Sequence, residues 1–154
     1  MDAQLINDDC LQALPALPEA SIDFVFADRP FNLKKEYGDT SDDRPRSEYI
    51  EWCRQWMISL HRVLKPNGSL YLMTIQKDIW IFQHHLESMG MLFRNIIAWK
   101  NSSMPVKNRY CINYQPILYF TMSDKYTFNH DAEKHMSNAA MPWGRTNKGN
   151  LMID

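Results

Sequence analysis

The sequence predicts an α/β fold with a mainly parallel sheet that ends in an antiparallel hairpin. Apolar runs alternate with segments at helical spacing, in the order strand, helix, strand, helix, strand, helix, strand, loop, strand. The run Ile22–Ala27 is apolar almost throughout, which suits a strand that is covered on both faces. No helix separates the last two strands, so we expect them to pair antiparallel.

The individual elements follow from apolar spacing and from residues that start or end helices. The predicted strands lie at residues 4–7, 22–27, 69–75, 92–99 and 116–121. The predicted helices lie at residues 10–17, 48–64 and 78–89, and polar loops at 32–47 and 100–113. Ser47 is expected to cap the second helix, residues 65–68 to form the turn that ends it, and Gly90 to close the third.

Length and composition indicate a globular protein. The chain has 154 residues, of which 45% are hydrophobic and 23% charged, as in a single domain. Its three cysteines are widely spaced and lack a Cys-x-x-Cys motif, which argues against a disulfide framework and a zinc ribbon. We find no signal-peptide pattern and no apolar run near the ~20 residues that span a bilayer, so we expect a cytoplasmic protein without a membrane partner.

Charge is unevenly distributed along the chain. The formal net charge is −1, which does not by itself favour a nucleic-acid binder. Lys100, Lys107 and Arg109 lie close together in sequence, and with Arg145 and Lys148 they are expected to form a local basic rim. The first three are equally compatible with an ordinary solvated loop. His130 and His135 have acids between them but no clean helical frame, so no metal site is expected.

Acidic residues stand at the ends of two predicted strands, where open α/β sheets bind ligands. Asp8 and Asp9 follow the first strand, and Asp28 follows the second. Residues 28–32 read Asp-Arg-Pro-Phe-Asn, which combines an acceptor carboxylate, a rigid proline and an aromatic face. A planar base with an exocyclic amine needs such groups, and stacking of a base on an aromatic ring contributes ~1–3 kcal/mol.

The context of these residues carries a family resemblance. The chain contains LINDDCLQALPALPEASIDFVFADRPFNL and later LHRVLKPNGSLYL, IIAWKN and NYQPILYF. These stretches resemble the permuted, β-type DNA amino-methyltransferases, adenine-specific or cytosine amino-specific. That family typically has Gly-Asp-Cys-Leu, a leucine-rich helix and a strand that ends in Asp-Pro-Pro-Tyr or Asp-Pro-Pro-Phe. The resemblance implies the N-terminal catalytic half of a Rossmann-like methyltransferase sheet, without the strands of its glycine-rich cofactor loop.

The resemblance also implies catalytic roles for the matching residues. Asp28 and the main-chain carbonyl of Arg29 would accept hydrogen bonds from the target amine. Pro30 would keep this turn rigid, and Phe31 would stack on a base flipped out of the duplex. The reaction would be transfer of a methyl group from S-adenosylmethionine to adenine, or less favourably cytosine, in double-stranded DNA.

Further roles concern the cofactor and the DNA. The resemblance implies that Asp9 and Cys10, together with the catalytic Asp28, contact S-adenosylmethionine. Asp8 and Asp9 can equally cap the helix that follows them, and both interpretations remain open. The DNA contacts implied are those of the following four residues: Asn32, Lys100, Lys107 and Arg109.

The chain departs from the family pattern in two ways. Arg29 stands where the family has a proline, so rigidity is lost and an ion pair with Asp28 would compete for the carboxylate. No Gly-x-Gly of the cofactor loop occurs in the sequence. We therefore expect residues 1–121 to be a catalytic half and residues 122–154 an irregular, truncated connecting segment. The chain alone is expected to bind the cofactor poorly and to have impaired activity.

Two other functions are compatible with the same residues. One is a non-catalytic fragment, or a subunit of a split methyltransferase, that binds DNA, a complementing C-terminal half or a second copy. The other is a methyltransferase of the same architecture that acts on RNA or a small molecule. Binding of DNA without cofactor would favour the first, and activity on free nucleoside but not on duplex DNA would favour the second.

Overall fold

The structure, a computed structural model, describes residues 3–37, 40–101, 107–108 and 110–129. Its helices in chain order are α1 (Cys10–Ala16), α2 (Arg46–Val63) and α3 (Ile79–Ser88), with a 3-10 turn at Gln76–Asp78 directly before α3. Its strands are β1 (Ile22–Ala27), β2 (Glu36–Tyr37), β3 (Thr40–Ser41), β4 (Leu64–Met73), β5 (Leu92–Lys100) and β6 (Tyr114–Thr121). None of these helices combines the length and apolar character needed to span a bilayer.

The main sheet contains four strands in the order β1–β4–β6–β5, and β2 pairs with β3 in a separate short ribbon. β1 and β4 are parallel, whereas β6 is antiparallel to both of its neighbours, β4 and β5. β1, β4 and β5 therefore run in one direction, and β6 lies between β4 and β5 in the other. The predicted α/β class and the terminal antiparallel hairpin are confirmed.

The core lies between one face of this sheet and the helices α2 and α3. Alternate residues of the two central strands are fully buried, and the period of two places them on a single face. These residues are Leu70 and Leu72 of β4 and Leu118 and Phe120 of β6. They belong to one cluster with residues from both helices, which include Cys53, Met57, Leu60, Phe82 and Leu86. This packing fixes how the strand ends that carry the acidic residues lie relative to the helices.

The prediction of a first strand at residues 4–7 is wrong. Residues 4–7 belong to no helix or strand, and the Leu5 side chain is 96% exposed. An apolar pair of residues is not sufficient for a strand, because its backbone groups need a neighbouring strand to bind. Within the described ranges β1 pairs along one edge only, with β4, and its other edge has no strand beside it.

The junction between α2 and β4 also differs from the prediction. Pro45 occupies the cap position of α2, Ser47 lies inside the helix, and no side chain caps this end. Proline is compatible with the first turn because the amide it lacks has no helical partner there. Residues 65–68 are not a separate turn but the start of β4, where the register with β1 shifts. A Cβ on Gly68 would lie 2.9 Å from the Lys65 carbonyl oxygen, so glycine permits this irregular start.

The end of α3 agrees with the prediction. Gly90 has a φ of +88° and its amide donates to the Glu87 carbonyl, which is the usual way a glycine closes a helix. Residues 122–129 form neither helix nor strand, as expected for the start of the irregular segment, and residues 130–154 lie outside the described ranges.

The two apolar positions Leu70 and Leu5 provide a direct test of the fold. Leu70→Ala is expected to lower the free energy of unfolding by ~2–5 kcal/mol, because it leaves a cavity at a fully buried site. Urea unfolding followed by tryptophan fluorescence measures the change. The matched control is Leu5→Ala, which we expect to alter stability by less than ~0.5 kcal/mol. Equal losses in the two variants would contradict the position of residues 4–7 outside the core.

Candidate active site

The carboxyl ends of the parallel strands β1 and β4 lie side by side, and the polar residues that follow them meet there. Asp28 comes directly after β1. Thr74 and Asp78 follow β4, and both are fully buried. Since this edge of an α/β sheet is where ligands bind, it is the candidate active site.

Arg29 is buried and turned towards the inside of the molecule. Its Nη1 donates to the Met73 carbonyl oxygen at 3.0 Å, and its Nη2 donates to Thr74 Oγ1 at 3.2 Å. The same Nη2 lies 3.6 Å from Asp78 Oδ2. The guanidinium carbon also lies 4.3 Å from the centre of the Phe82 ring. Arg29 thus joins the end of β1 to the end of β4 and to the start of α3.

The prediction of an ion pair between Arg29 and Asp28 is wrong. Asp28 is exposed, whereas Arg29 points inward to the buried carboxylate of Asp78. Successive side chains of an extended chain point to opposite sides, which separates these two neighbours. Among the described residues nothing holds the Asp28 carboxylate by a hydrogen bond or an ion pair. The competition for this carboxylate that was expected to weaken catalysis is therefore absent.

The loop that follows Asp28 is also held in place through a contact to its main chain. The Tyr49 hydroxyl of α2 donates to the Pro30 carbonyl oxygen at 2.8 Å. Burial raises the pKa of Tyr49 well above its usual value, so this hydroxyl keeps the proton that it donates. Phe31 is half-buried, and the Arg29 guanidinium carbon lies 5.4 Å from the centre of its ring. Phe31 is thus only partly covered by its neighbours.

Asn32 adopts a left-handed backbone conformation, with a φ of 56°. Its side-chain amide donates to the Arg44 carbonyl oxygen and its carbonyl accepts from the Arg44 amide, each at 2.8 Å. Asparagine tolerates this conformation better than most residues. These contacts close the loop, and the predicted contact of Asn32 with DNA stays a prediction.

Asp42 also holds the loop through hydrogen bonds, a role that the sequence analysis did not predict. It is buried, and its carboxylate accepts from the Leu33 amide at 3.1 Å and from the Lys35 amide. Burial acts to raise the pKa of Asp42, but the backbone donors Leu33 and Lys35 outweigh it, so the pKa is lowered overall. Asp42 is one of several acids in a polar segment, and its sequence position does not distinguish it from the others.

A cleft of about 620 Å³ opens beside the exposed edge of β1. Its walls are mainly apolar side chains from α1, β1 and α2, and its polar lining includes Asp8, Cys10 and Asp28. Asp9 is not part of this wall. Its Oδ1 instead accepts from the Leu11 amide at 2.8 Å and caps α1. The capping interpretation of Asp9 is therefore confirmed, and Asp8 takes the position in the cleft.

The predicted basic residues are only partly described. Lys100 is exposed at the last position of β5, and Lys107 is exposed in the segment that follows. Arg109 lies outside the described residues, as do His130 and His135. The structure therefore places Lys100 in a strand and not in a loop, and it leaves the proposed basic rim as a prediction.

Comparison with known proteins identifies the family. A family profile described as DNA methylase matches residues 22–150. The chain belongs to the DNA methylase family. The resemblance seen in the sequence motifs is thereby confirmed. The chain is 37% identical over 134 residues to the Type II methyltransferase M.HpaI of Haemophilus parainfluenzae, a match that covers 85% of this chain and 43% of the relative.

Two further relatives agree with this assignment. Over 130 residues each, the chain is 38% identical to the Type II methyltransferase M.BamHI of Bacillus amyloliquefaciens and 30% identical to the DNA adenine methyltransferase YhdJ of Escherichia coli K12. These matches cover 82% and 83% of this chain, and 30% and 44% of the relatives. This DNA methylase chain thus spans less than half the length of the curated relatives that it matches.

The solved structures confirm the fold. The PvuII DNA methyltransferase (cytosine-N4-specific) aligns with a TM-score of 0.58 and 20% identity, over 77% of this chain and 48% of that one. A putative DNA modification methylase of Thermus thermophilus, TTHA0409, aligns with a TM-score of 0.61 and 17% identity, over 86% and 59%. The sheet of this methylase chain is therefore part of a Rossmann-like methyltransferase sheet.

The lowered pKa of Asp42 predicts a pH dependence of stability for this methylase chain. Its carboxylate stabilises the fold above its ordinary pKa of 3.8, and this contribution is lost as the pH falls through the lower pKa of the folded state. The difference in free energy of unfolding between wild type and Asp42→Asn should therefore shrink below pH 3.8. Urea titrations at several pH values measure it. The matched control is Asp43→Asn, which removes an exposed ion pair with Lys34 and should change the free energy of unfolding by less than ~1 kcal/mol. An equal loss in the two variants at neutral pH would contradict the role of Asp42.

Proposed function

We propose that this chain is the catalytic half of an enzyme that transfers a methyl group from S-adenosylmethionine to the exocyclic amine of adenine in double-stranded DNA. The observation that carries the proposal is the exposed Asp28 carboxylate at the tip of β1, beside a cleft and unengaged by any described residue. Membership of the DNA methylase family supports the reaction class. The chain covers less than half of its curated relatives, so the activity of the whole protein belongs to this proposal.

In the proposed mechanism Asp28 accepts a hydrogen bond from the target amine, and the main-chain carbonyl of Arg29 accepts the other. Two acceptors in one plane hold the nitrogen lone pair towards the methyl donor. The rate enhancement then comes from positioning and electrostatic stabilisation, without a covalent nucleophile on the protein. A paired base is out of reach, so it is flipped out and stacks on the accessible part of Phe31.

The residues of the cleft fit the cofactor in part. The apolar walls from α1, β1 and α2 suit a purine ring, and the carboxylates of Asp8 and Asp28 suit hydroxyl and cationic groups at the rim. The volume of about 620 Å³ lies in the usual range for small-molecule sites. S-adenosylmethionine, when bound, supplies the activated methyl group. Cys10 contributes a protonated thiol to the wall, because burial and then the neighbouring Asp9 raise its pKa.

Adenine is favoured over cytosine as the target. The aromatic residue of the motif is a phenylalanine, which leans towards adenine in the family that the sequence resembles. The relative YhdJ, named a DNA adenine methyltransferase, is 30% identical to this chain. Mass spectrometry of digested product DNA separates N6-methyladenine from N4-methylcytosine, and detection of the latter alone would overturn this choice.

The free edge of β1 supports a partner for the chain. Within the described ranges this edge has no neighbouring strand, and Phe24 and Phe26 beside it are 56% and 45% exposed. An apolar, unpaired edge invites pairing with another segment. We propose that the occupant is a complementing C-terminal half, since the matched relatives are more than twice as long as the matched region.

A second candidate function follows from the same edge. A non-catalytic subunit that binds DNA or a partner half would need the open β1 edge but not the Asp28 carboxylate. The two candidates differ in what a change at Asp28 does, because only the catalytic one loses a reaction. Robust binding of DNA with no dependence of any methyl transfer on Asp28 would favour the second candidate.

The role of Asp28 can be tested in a hybrid in which residues 1–154 replace the matching segment of M.HpaI. Asp28→Asn is expected to lower kcat by ~100-fold or more, because one acceptor for the amine is weakened and misdirected. Transfer of tritiated methyl groups to duplex DNA measures kcat. The matched control is Asp23→Asn on the same strand, whose carboxylate makes an exposed pair with Lys65 at 2.8 Å. We expect the control to change kcat by less than ~3-fold, and equal effects would contradict the proposal.

The isolated chain gives a further test. Because residues 1–154 match less than half the length of the relatives, we expect a protein of these residues alone to bind S-adenosylmethionine with a Kd above ~100 µM, weaker than about −5.5 kcal/mol. Titration calorimetry of the chain alone measures this affinity. The hybrid with M.HpaI should bind at least ~10-fold more tightly. Micromolar binding by the isolated chain would show that the described cleft is sufficient.

A further inference from the structure

We propose that Asp78 is a positioning residue that acts through Arg29 to hold in place the loop of residues 28–35, which follows β1. The inference rests on the proposed function, since it concerns the main-chain carbonyl of Arg29 that is to accept from the target amine. It goes further by assigning a role to a residue that lies outside the loop. Asp78 does not line the cleft, and it contacts the residue that follows Asp28 through the Arg29 side chain.

The contacts of Arg29 connect the loop to two fixed elements. Hydrogen bonds of 3.0 Å to the Met73 carbonyl oxygen and 3.2 Å to Thr74 Oγ1 tie it to the end of β4. Asp78 Oδ2 lies 3.6 Å from the same guanidinium and ties it to the start of α3. Thr74 is itself fixed, because its amide donates to the Pro116 carbonyl oxygen of β6. The residue after Asp28 is thus anchored to the centre of the sheet.

Asp78 stands at the cap position of α3 but does not cap it. An aspartate there usually accepts from the first free amides of its helix. In this chain no side chain makes such a bond at α3, and the carboxylate is directed to Arg29 and to Arg46 of α2, the latter at 2.5 Å. Instead of capping α3, the Asp78 carboxylate contacts two arginines that are distant in sequence, and it is fully buried.

The buried cluster is a weak source of stability. A buried ion pair loses hydration that its attraction only partly offsets, and hydrophobic replacement is often neutral or stabilising. Here the compensation is incomplete, because Arg29 Nε and Asp78 Oδ2 lack hydrogen-bond partners among the described residues. What the pair does provide is a fixed direction for Arg29, which leaves Asp28 exposed. The geometry therefore favours a positional role over a stabilising one.

Hydrogen exchange of the 154-residue chain, without DNA or cofactor, tests the proposal. The amides of Leu33 and Lys35 donate to Asp42, so their exchange reports on opening of the loop. Asp78→Asn keeps the volume but removes the charge. We expect it to speed loop exchange by ~10-fold, while amides of β6 change by less than ~2-fold. The matched control is Arg46→Gln, which removes the other partner of Asp78 and should change loop exchange by less than ~3-fold.

A second variant keeps the test decisive if Asp78→Asn fails to fold. Proline at position 29 fixes the backbone without a side-chain anchor. In Arg29→Pro/Asp78→Asn the loop should therefore exchange within ~3-fold of wild type. Unchanged loop exchange in Asp78→Asn, or loop exchange more than ~10-fold faster in the double variant, would overturn the proposal. The readout needs no methyl transfer, so failure here leaves the proposed reaction standing, and failure of the Asp28 test leaves this anchor intact.

Discussion

A buried ion pair between Arg29 and Asp78 is the constraint on which the candidate site depends. Through Arg29 it joins the tip of β1 and the end of β4 to the start of α3. Because the guanidinium turns inward, the preceding carboxylate of Asp28 turns outward and stays free of protein partners in the described chain. Arg29, which the sequence predicted to compete for the Asp28 carboxylate, therefore leaves that carboxylate unpaired among the described residues.

The loop that follows is organised by polar groups and not by apolar packing. Tyr49 holds the Pro30 carbonyl, Asn32 exchanges two hydrogen bonds with Arg44, and Asp42 gathers the amides of residues 33 and 35. Each of these acceptors or donors is satisfied by a backbone group, as buried or turn-forming polar groups generally are. A loop built in this way can hold the Asp28 carboxylate in place while the carboxylate remains exposed at the surface.

Two observations bear on the proposed partner: the open edge of β1 and the greater length of the relatives. The edge strand β1 of the described sheet carries exposed phenylalanines and is followed directly by the proposed catalytic aspartate, and the cleft lies beside that edge. The curated relatives extend well beyond the matched region. The open edge and the greater length of the relatives are both compatible with the proposed C-terminal half that would pair with β1.

The sequence by itself determined the α/β class, the strands and helices with regular apolar periods, the terminal hairpin and the Asp28 motif, because these depend on spacing along the chain. Tertiary structure decided the rest. Residues 4–7 form no strand because no neighbour lies beside them in the described chain, and Asp9 caps α1 while Asp8 faces the cleft. The partner of Arg29 is 49 positions away in sequence, at Asp78, and not its neighbour. Which carboxylate a buried cation meets depends on how strand ends and helix starts are packed, and no local pattern encodes that.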